Sequence, residues 1–172
     1  MTDRMTTAAV QKRSLPQKHT LVRHALATLA YRGAKVVRQA PPDFSCFRSA
    51  PGSRTAGEIL AHMGDLMDWM LSQARGKQRW RPLKPRTWDE DTARFFDALT
   101  ALDQHLASDA EVHAPSEKMF QGAVADALTH VGQLALLRRL AGSPVRGENY
   151  YRAKIEIGRT SLDQPKAVSE FD

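Results

Sequence analysis

Apolar residues recur at helical spacing along four stretches of the chain. Leu21, Val22, Ala25, Leu29 and Val36 form the first stripe, from about Thr20 to Ala40, which Gly33 weakens without forbidding a helix. The second stripe comprises Ile59, Leu60, Met63, Leu66, Met67, Met70 and Leu71 and closes near Gly76. It has a sharp start: Thr55 and Glu58 carry the spacing of a capping box, in which two side chains satisfy amides that the first turn leaves unpaired. Thr87 and Glu90 repeat that signature ahead of Phe95, Phe96, Leu99, Leu102 and Leu106, and this helix ends near Ser108. A fourth stripe, Phe120, Val124, Leu128, Val131, Leu134 and Leu137, begins after Pro115 and Ser116. Gly142 stops it, with Pro144 just beyond.

Pro41, Pro42, Pro51 and Gly52 mark a substantial loop holding Phe44, Cys46 and Phe47. The pattern predicts an all-α protein, a four-helix bundle with an irregular C-terminal tail, joined by connections too long for tight hairpins. The expected organisation is a flexible leader over 1–17, the bundle over 18–145 and a tail over 146–172 packed on the bundle. Within the tail, Tyr150, Tyr151, Ile155 and Ile157 read either as one short strand or as chain laid over the helices. Glu148, Asn149 and Tyr150 follow the last helix closely enough to fold back over a site mouth.

Composition narrows the class. The 172 residues favour one domain, and 42% hydrophobic with 26% charged residues is an ordinary globular mix. No apolar run approaches the roughly 20 residues of a membrane-spanning helix. The first residues lack the apolar block of a secretory signal, so the expected compartment is the cytoplasm and no membrane partner is expected. The single Cys46 excludes an intrachain disulfide and a cysteine-rich zinc site, and it has no neighbouring histidine to activate it. Lys plus Arg outnumber Asp plus Glu by 25 to 19, and the densest basic run is Arg75, Lys77, Arg79, Arg81, Lys84 and Arg86 around Trp80. Such a run can clamp a phosphate backbone. The acidic helix start at Asp89, Glu90 and Asp91 favours the plainer reading of a solvated connection, so nucleic acid is an unlikely partner.

Two polar stripes border the apolar faces. On the fourth helix, Asp126 and His130 lie four apart and His130 and Gln133 three apart, within a sector of about 60°. On the second, Glu58, His62, Asp65 and Trp69 flank the core stripe. If these helices are neighbours, His62 faces Asp126 and His130, and two imidazoles with one carboxylate suit a divalent transition metal while leaving coordination positions open. Glu58, Asp65 and Gln133 are placed to orient a ligating histidine. Trp69 reads as core packing or as a wall of the cavity. The plain alternative is that both histidines are ordinary hydrogen-bonded side chains, as His19, His24, His105 and His113 read. Met63, Met67 and Met70 read as core filling. Gly122, one turn before Asp126, costs about 1 kcal/mol relative to alanine in a helix interior and so calls for a local reason, either close helix approach or room for a ligand.

The stretches 55–65 (TAGEILAHMGD) and 126–139 (DALTHVGQLALLRR), with Gly142 after them, resemble the DinB-like family of metal-binding bundles. That family includes bacterial thiol-dependent S-transferases and relatives of maleylpyruvate isomerase, and the resemblance covers most of 20–145 in helix order. It implies three histidine ligands, one on the second helix and two spaced by four on the last. His62 matches the first and His130 the last, but Asp126 stands at the intermediate position. Aspartate ligates zinc, nickel or manganese while changing the charge and hardness of the site. The resemblance further implies a metal that lowers the pKa of a low-molecular-weight thiol, whose thiolate attacks a small electrophile. A hydrolase using metal-bound water would need the same ligands. The expectation is therefore a DinB-like divalent-metal-binding protein, a thiol-dependent S-transferase or related metalloenzyme, with a homodimer implied by the family. The alternative is a non-catalytic, stress-associated binding or interaction module that has lost the metal.

Overall fold

The computed structural model describes residues 19–171; the leader expected over 1–17 lies outside the described residues. Helix α1 spans Thr20–Val37, α2 Ala56–Ala74, α3 Trp88–Ala107, α4 Ser116–Met119 and α5 Ala125–Leu140, with a π-helical turn at Phe120–Val124 joining the last two. The architecture is an all-α four-helix bundle with a largely irregular tail.

Local signals account for most helix ends. Both capping boxes form: the Thr55 N–H donates to Glu58 at 2.7 Å while the Glu58 N–H donates to the Thr55 hydroxyl, and Thr87 and Glu90 repeat the exchange. Gly76 and Gly142 take positive φ just past α2 and α5, where a side chain would be strained. Helix α1 ends at Val37, short of Ala40, because Arg38 is already extended and Gln39 has φ 52° ahead of Pro41.

Around the bundle, α2 packs on α3 and α5, and α1 packs on α3 and α5, so α1 lies diagonal to α2. The shared core includes Leu26, Leu29, Leu60, Met63, Met67, Phe95, Leu99, Leu102 and Leu134, all fully buried. Each such side chain contributes about 1.5–3 kcal/mol through removal from water. Gly33 has a packing reason: a Cβ there would stand 3.1 Å from the Phe95 ring, so glycine lets α3 seat its aromatic side chain against α1. Two buried carboxylates are paired between helices. Arg23 grips Asp103 with two bonds of 2.8 and 2.9 Å across α1–α3, and Arg94 meets Asp65 at 2.6 Å across α2–α3. Arg138 of α5 is 4% exposed and spends its guanidinium on the Val36, Arg38, Gln39 and Ser143 carbonyls and the Ser143 hydroxyl. It thereby satisfies the open C-terminal carbonyls of α1 with a cation, the sign the helix dipole favours there.

The tail differs from expectation in two respects. Its strand is not at Ile155 and Ile157: β1, Gly147–Glu148, pairs antiparallel with β2, Glu170–Phe171, while Tyr150–Arg152 forms a 3₁₀ turn. Nor do Glu148 and Tyr150 cover the α2–α5 boundary. The buried Glu148 carboxylate accepts from Tyr31 at 2.7 Å and Lys35 at 2.9 Å, Lys35 also reaches Glu170 at 2.7 Å, and the Tyr150 ring stacks under Arg32. A carboxylate buried this deeply needs donors, and α1 supplies them. Among the described residues, no helix is long and apolar enough to cross a membrane.

Candidate metal centre

The adjacency of α2 and α5 brings the two polar stripes together. His62 lies two turns into α2, and Asp126 and His130 occupy successive turns of α5. The Asp126 carboxylate stands between the rings, its Oδ2 3.7 Å from His62 Nε2 and its Oδ1 3.4 Å from His130 Nε2. The imidazole centroids are 5.0 Å apart and nearly perpendicular, and one ligating atom from each residue lies within 4.8 Å of the others. Ligand atoms held about 2.0–2.2 Å from zinc at tetrahedral angles are separated by roughly 3.3–3.6 Å. Asp126 already meets both imidazoles near that spacing, and the group as a whole, within 4.8 Å, reaches it by side-chain adjustments of about 1 Å.

Burial is graded across the site. The His130 side chain is 9% exposed, His62 21% and Asp126 47%, so the carboxylate stands at the solvent side of two sheltered imidazoles. His130 Nδ1 lies 2.8 Å from Gln133 Oε1; with Nδ1–H donating there, the Nε2 lone pair faces Asp126. Burial, then the charges of His130 and Arg54, hold the His62 pKa below its ordinary value against the opposing pull of Asp126 and Asp65. His62 thus favours the neutral form that ligates metal.

The remaining expected residues divide. Gln133 reaches the site. Glu58 does not: its carboxylate is held at the Thr55 amide, because the capping box uses the group that would otherwise turn toward His62. Asp65 makes no orienting bond to an imidazole ring: Arg94 and the Leu83 N–H both donate to its Oδ1, and it acts on His62 through its field. Trp69 is half-buried and packs against the core, with an edge toward Trp80, which is the packing role expected of it. Gly122 lies within the π turn, where a Cβ would meet Trp69 at an ordinary 3.8 Å, so space does not demand glycine there.

Trp80 and the cavity wall were not evident in the sequence. Trp80 sits 6.0 Å from the His62 ring and 6.1 Å from Trp69, centroid to centroid. The basic connection runs back along α2, fastened where Ser72 brackets Arg79 and where Asp65 receives the Leu83 N–H. No periodicity announces such a strap; the one signal was a large aromatic residue inside a polar run. On another side of His130 a cavity of about 450 Å³ opens between the 47–55 loop and α5, lined by Arg54, Ile59, Gln133, Leu136 and Leu137 among others. The π turn at Phe120–Val124 interrupts the helix one turn before Asp126, a placement common at functional sites. Cys46 is exposed, and His19, His105 and His113 make contacts elsewhere.

Fold and site together define an all-α bundle with a two-histidine, one-aspartate cluster between neighbouring helices. No family model, curated protein or solved structure matches the chain.

Proposed function

We propose that this protein is a DinB-like metalloprotein of the cytoplasm that holds a divalent transition ion, zinc, nickel or manganese, through His62, Asp126 and His130. Its reaction is that of a thiol-dependent S-transferase or a related metalloenzyme. The observation that carries this reading is the convergence of the three donors from α2 and α5 to within 4.8 Å. When bound, the ion would lower the pKa of a coordinating low-molecular-weight thiol, providing a nucleophile for a small electrophile at neutral pH.

The chain's own residues prepare the site for that role. Gln133 holds the His130 proton on Nδ1, and burial lowers the His62 pKa and so favours its neutral, ligating form. Asp126 contributes one negative charge, so a dication in this donor set retains a net positive charge that attracts anionic ligands. Trp80, its ring centroid 6.0 Å from that of His62, covers part of the His62 flank. A carboxylate in place of a third imidazole hardens the site and moves its preference toward manganese.

Elemental analysis of protein purified without a metal-chelating tag tests the proposal. The expected result is close to one equivalent of metal, lost in His62→Ala and His130→Ala while helical circular dichroism persists. A folded protein that is metal-free and ignores added zinc, nickel and manganese overturns it and favours the interaction module.

A further inference from the structure

A larger cavity, of about 560 Å³, lies where the C-terminal end of α1 meets the end of α5 and the tail. That volume falls in the range of small-molecule sites. Five cationic side chains line it: Lys35 and Arg38 from α1, Arg138 from α5, Arg146 just beyond that helix and Lys166 from the tail. Two carboxylates share the walls, and both are committed. Glu148 accepts from Tyr31 and Lys35, while Glu170 accepts from Lys35 and faces Arg146 at 3.7 Å. Three cations are left with no carboxylate partner among the described residues. Arg138 is 4% exposed, and its N–H groups end on carbonyls and the Ser143 hydroxyl, which satisfy its hydrogen bonds but carry no formal charge. Arg38 donates to the Leu162 carbonyl and leaves the rest of its fork unused. Lys166 is exposed and makes no hydrogen bond or ion pair to the described residues. Like charges gathered around one concave wall repel each other and focus a positive field into it.

We infer that this cavity binds a small phosphate monoester, its phosphate held by Arg38 and Lys166 beside the buried charge of Arg138 and its organic body laid against Pro144, Val145 and Pro165. A phosphate group brings about two negative charges and three strong acceptor oxygens, which suits the two cations that still have donors to give. A single carboxylate would leave more of the excess charge uncompensated, and free phosphate would leave the apolar wall uncovered. Because Arg38 belongs to α1 and Lys166 to the tail, the bound ester ties the tail to the bundle. The site is separate from the metal cluster: none of His62, Asp126 and His130 lines the cavity, and His130 precedes Arg138 on α5 by about 12 Å along the helix axis.

Calorimetric titration of the full chain at low salt with glycerol 3-phosphate and ribose 5-phosphate tests this, each ester run beside its unphosphorylated parent and beside inorganic phosphate. At least one ester is expected to bind roughly tenfold or more tightly than both its parent and inorganic phosphate. Lys166→Gln and Arg38→Gln should each weaken that binding about tenfold, the lower end for a charge-assisted contact because both side chains are exposed. His130→Ala should leave it unchanged. The bound ester should also slow amide hydrogen exchange over 164–170, since it bridges that segment to α1. No ester binding at millimolar concentration, or binding no tighter than that of the parent, overturns the inference. Inorganic phosphate binding as tightly as the esters overturns the assignment of an organic body. Binding that survives either charge removal, that is lost in His130→Ala, or that leaves exchange over 164–170 unchanged places the ligand elsewhere and overturns it too.

Discussion

Replacing Gln133 by leucine separates an oriented metal ligand from a histidine that merely sits at a helix edge. The change removes the acceptor lying 2.8 Å from His130 Nδ1 and frees the imidazole to rotate and to move its proton onto Nε2, the nitrogen facing Asp126. Deleting such a supporting partner typically costs 10- to 100-fold in metal affinity, about 1.4–2.7 kcal/mol. Gln133 is exposed, so water replaces part of the lost bond and the lower end applies: a roughly tenfold weaker zinc Kd. Fold stability changes little, by about 0.5 kcal/mol or less, as expected for an exposed substitution. Competition for zinc against a chromophoric chelator measures the Kd, and urea unfolding of the apoprotein checks stability. Gln133→Glu should bind more tightly than Gln133→Leu, because a carboxylate acceptor raises the basicity of the imidazole. Equal zinc affinity in Gln133→Leu and native protein, with binding lost in His130→Ala, would refute the claim that this hydrogen bond sets the ligand.

Three further outcomes follow from the fold. Arg138→Met strips the counter-charge from the end of α1 and leaves several carbonyls short of donors; a loss of about 3 kcal/mol is expected in urea unfolding, and a loss below about 1 kcal/mol would show that water satisfies them. Thr55→Ala removes one side of the α2 capping box and should cost about 1 kcal/mol, lowering Tm by about 2–4 °C in calorimetry. The tail clamp gives a pH dependence. The Lys35 hydrogen bond holds the Glu170 carboxyl below its ordinary 4.5, so the unfolded chain binds more protons there and this contribution, present above that pH, fades on acidification. Burial opposes the Lys35 charge, but its bonds to Glu170 and Glu148 outweigh it and raise the pKa; that contribution is complete below 10.5 and fades as pH rises beyond it. Stability should decline at both limbs, and Glu170→Gln should flatten the acid limb; an acid limb identical to that of the native protein would remove the clamp as its cause.

Helix starts and stops were legible because the interactions that make them lie within a turn or two. Thr55 with Glu58 and Thr87 with Glu90 needed no partner from elsewhere in the chain, and Gly76 and Gly142 act through their own backbone freedom. The π turn escaped because it adds a residue to a helix whose stripe is apolar on both sides of the interruption. The tail escaped because its two-residue strands carry no alternation to read, and because Glu148 is placed by Tyr31 and Lys35, remote in the chain. Glu58 and Asp65 shared the correct face with His62, but a shared face does not reveal which neighbour will occupy a carboxylate.

The amino-acid pattern alone determined four helices, their apolar faces and the boundary positions of His62, Asp126, His130 and Gln133, because helical geometry converts spacing directly into direction. The pairing of α2 with α5, the fastening of Trp80 beside His62 and the gathering of Arg38, Arg138 and Lys166 around one cavity were decided only by the packed chain. Burial and charge select those contacts among segments distant in sequence, and each depends on what every other helix leaves open.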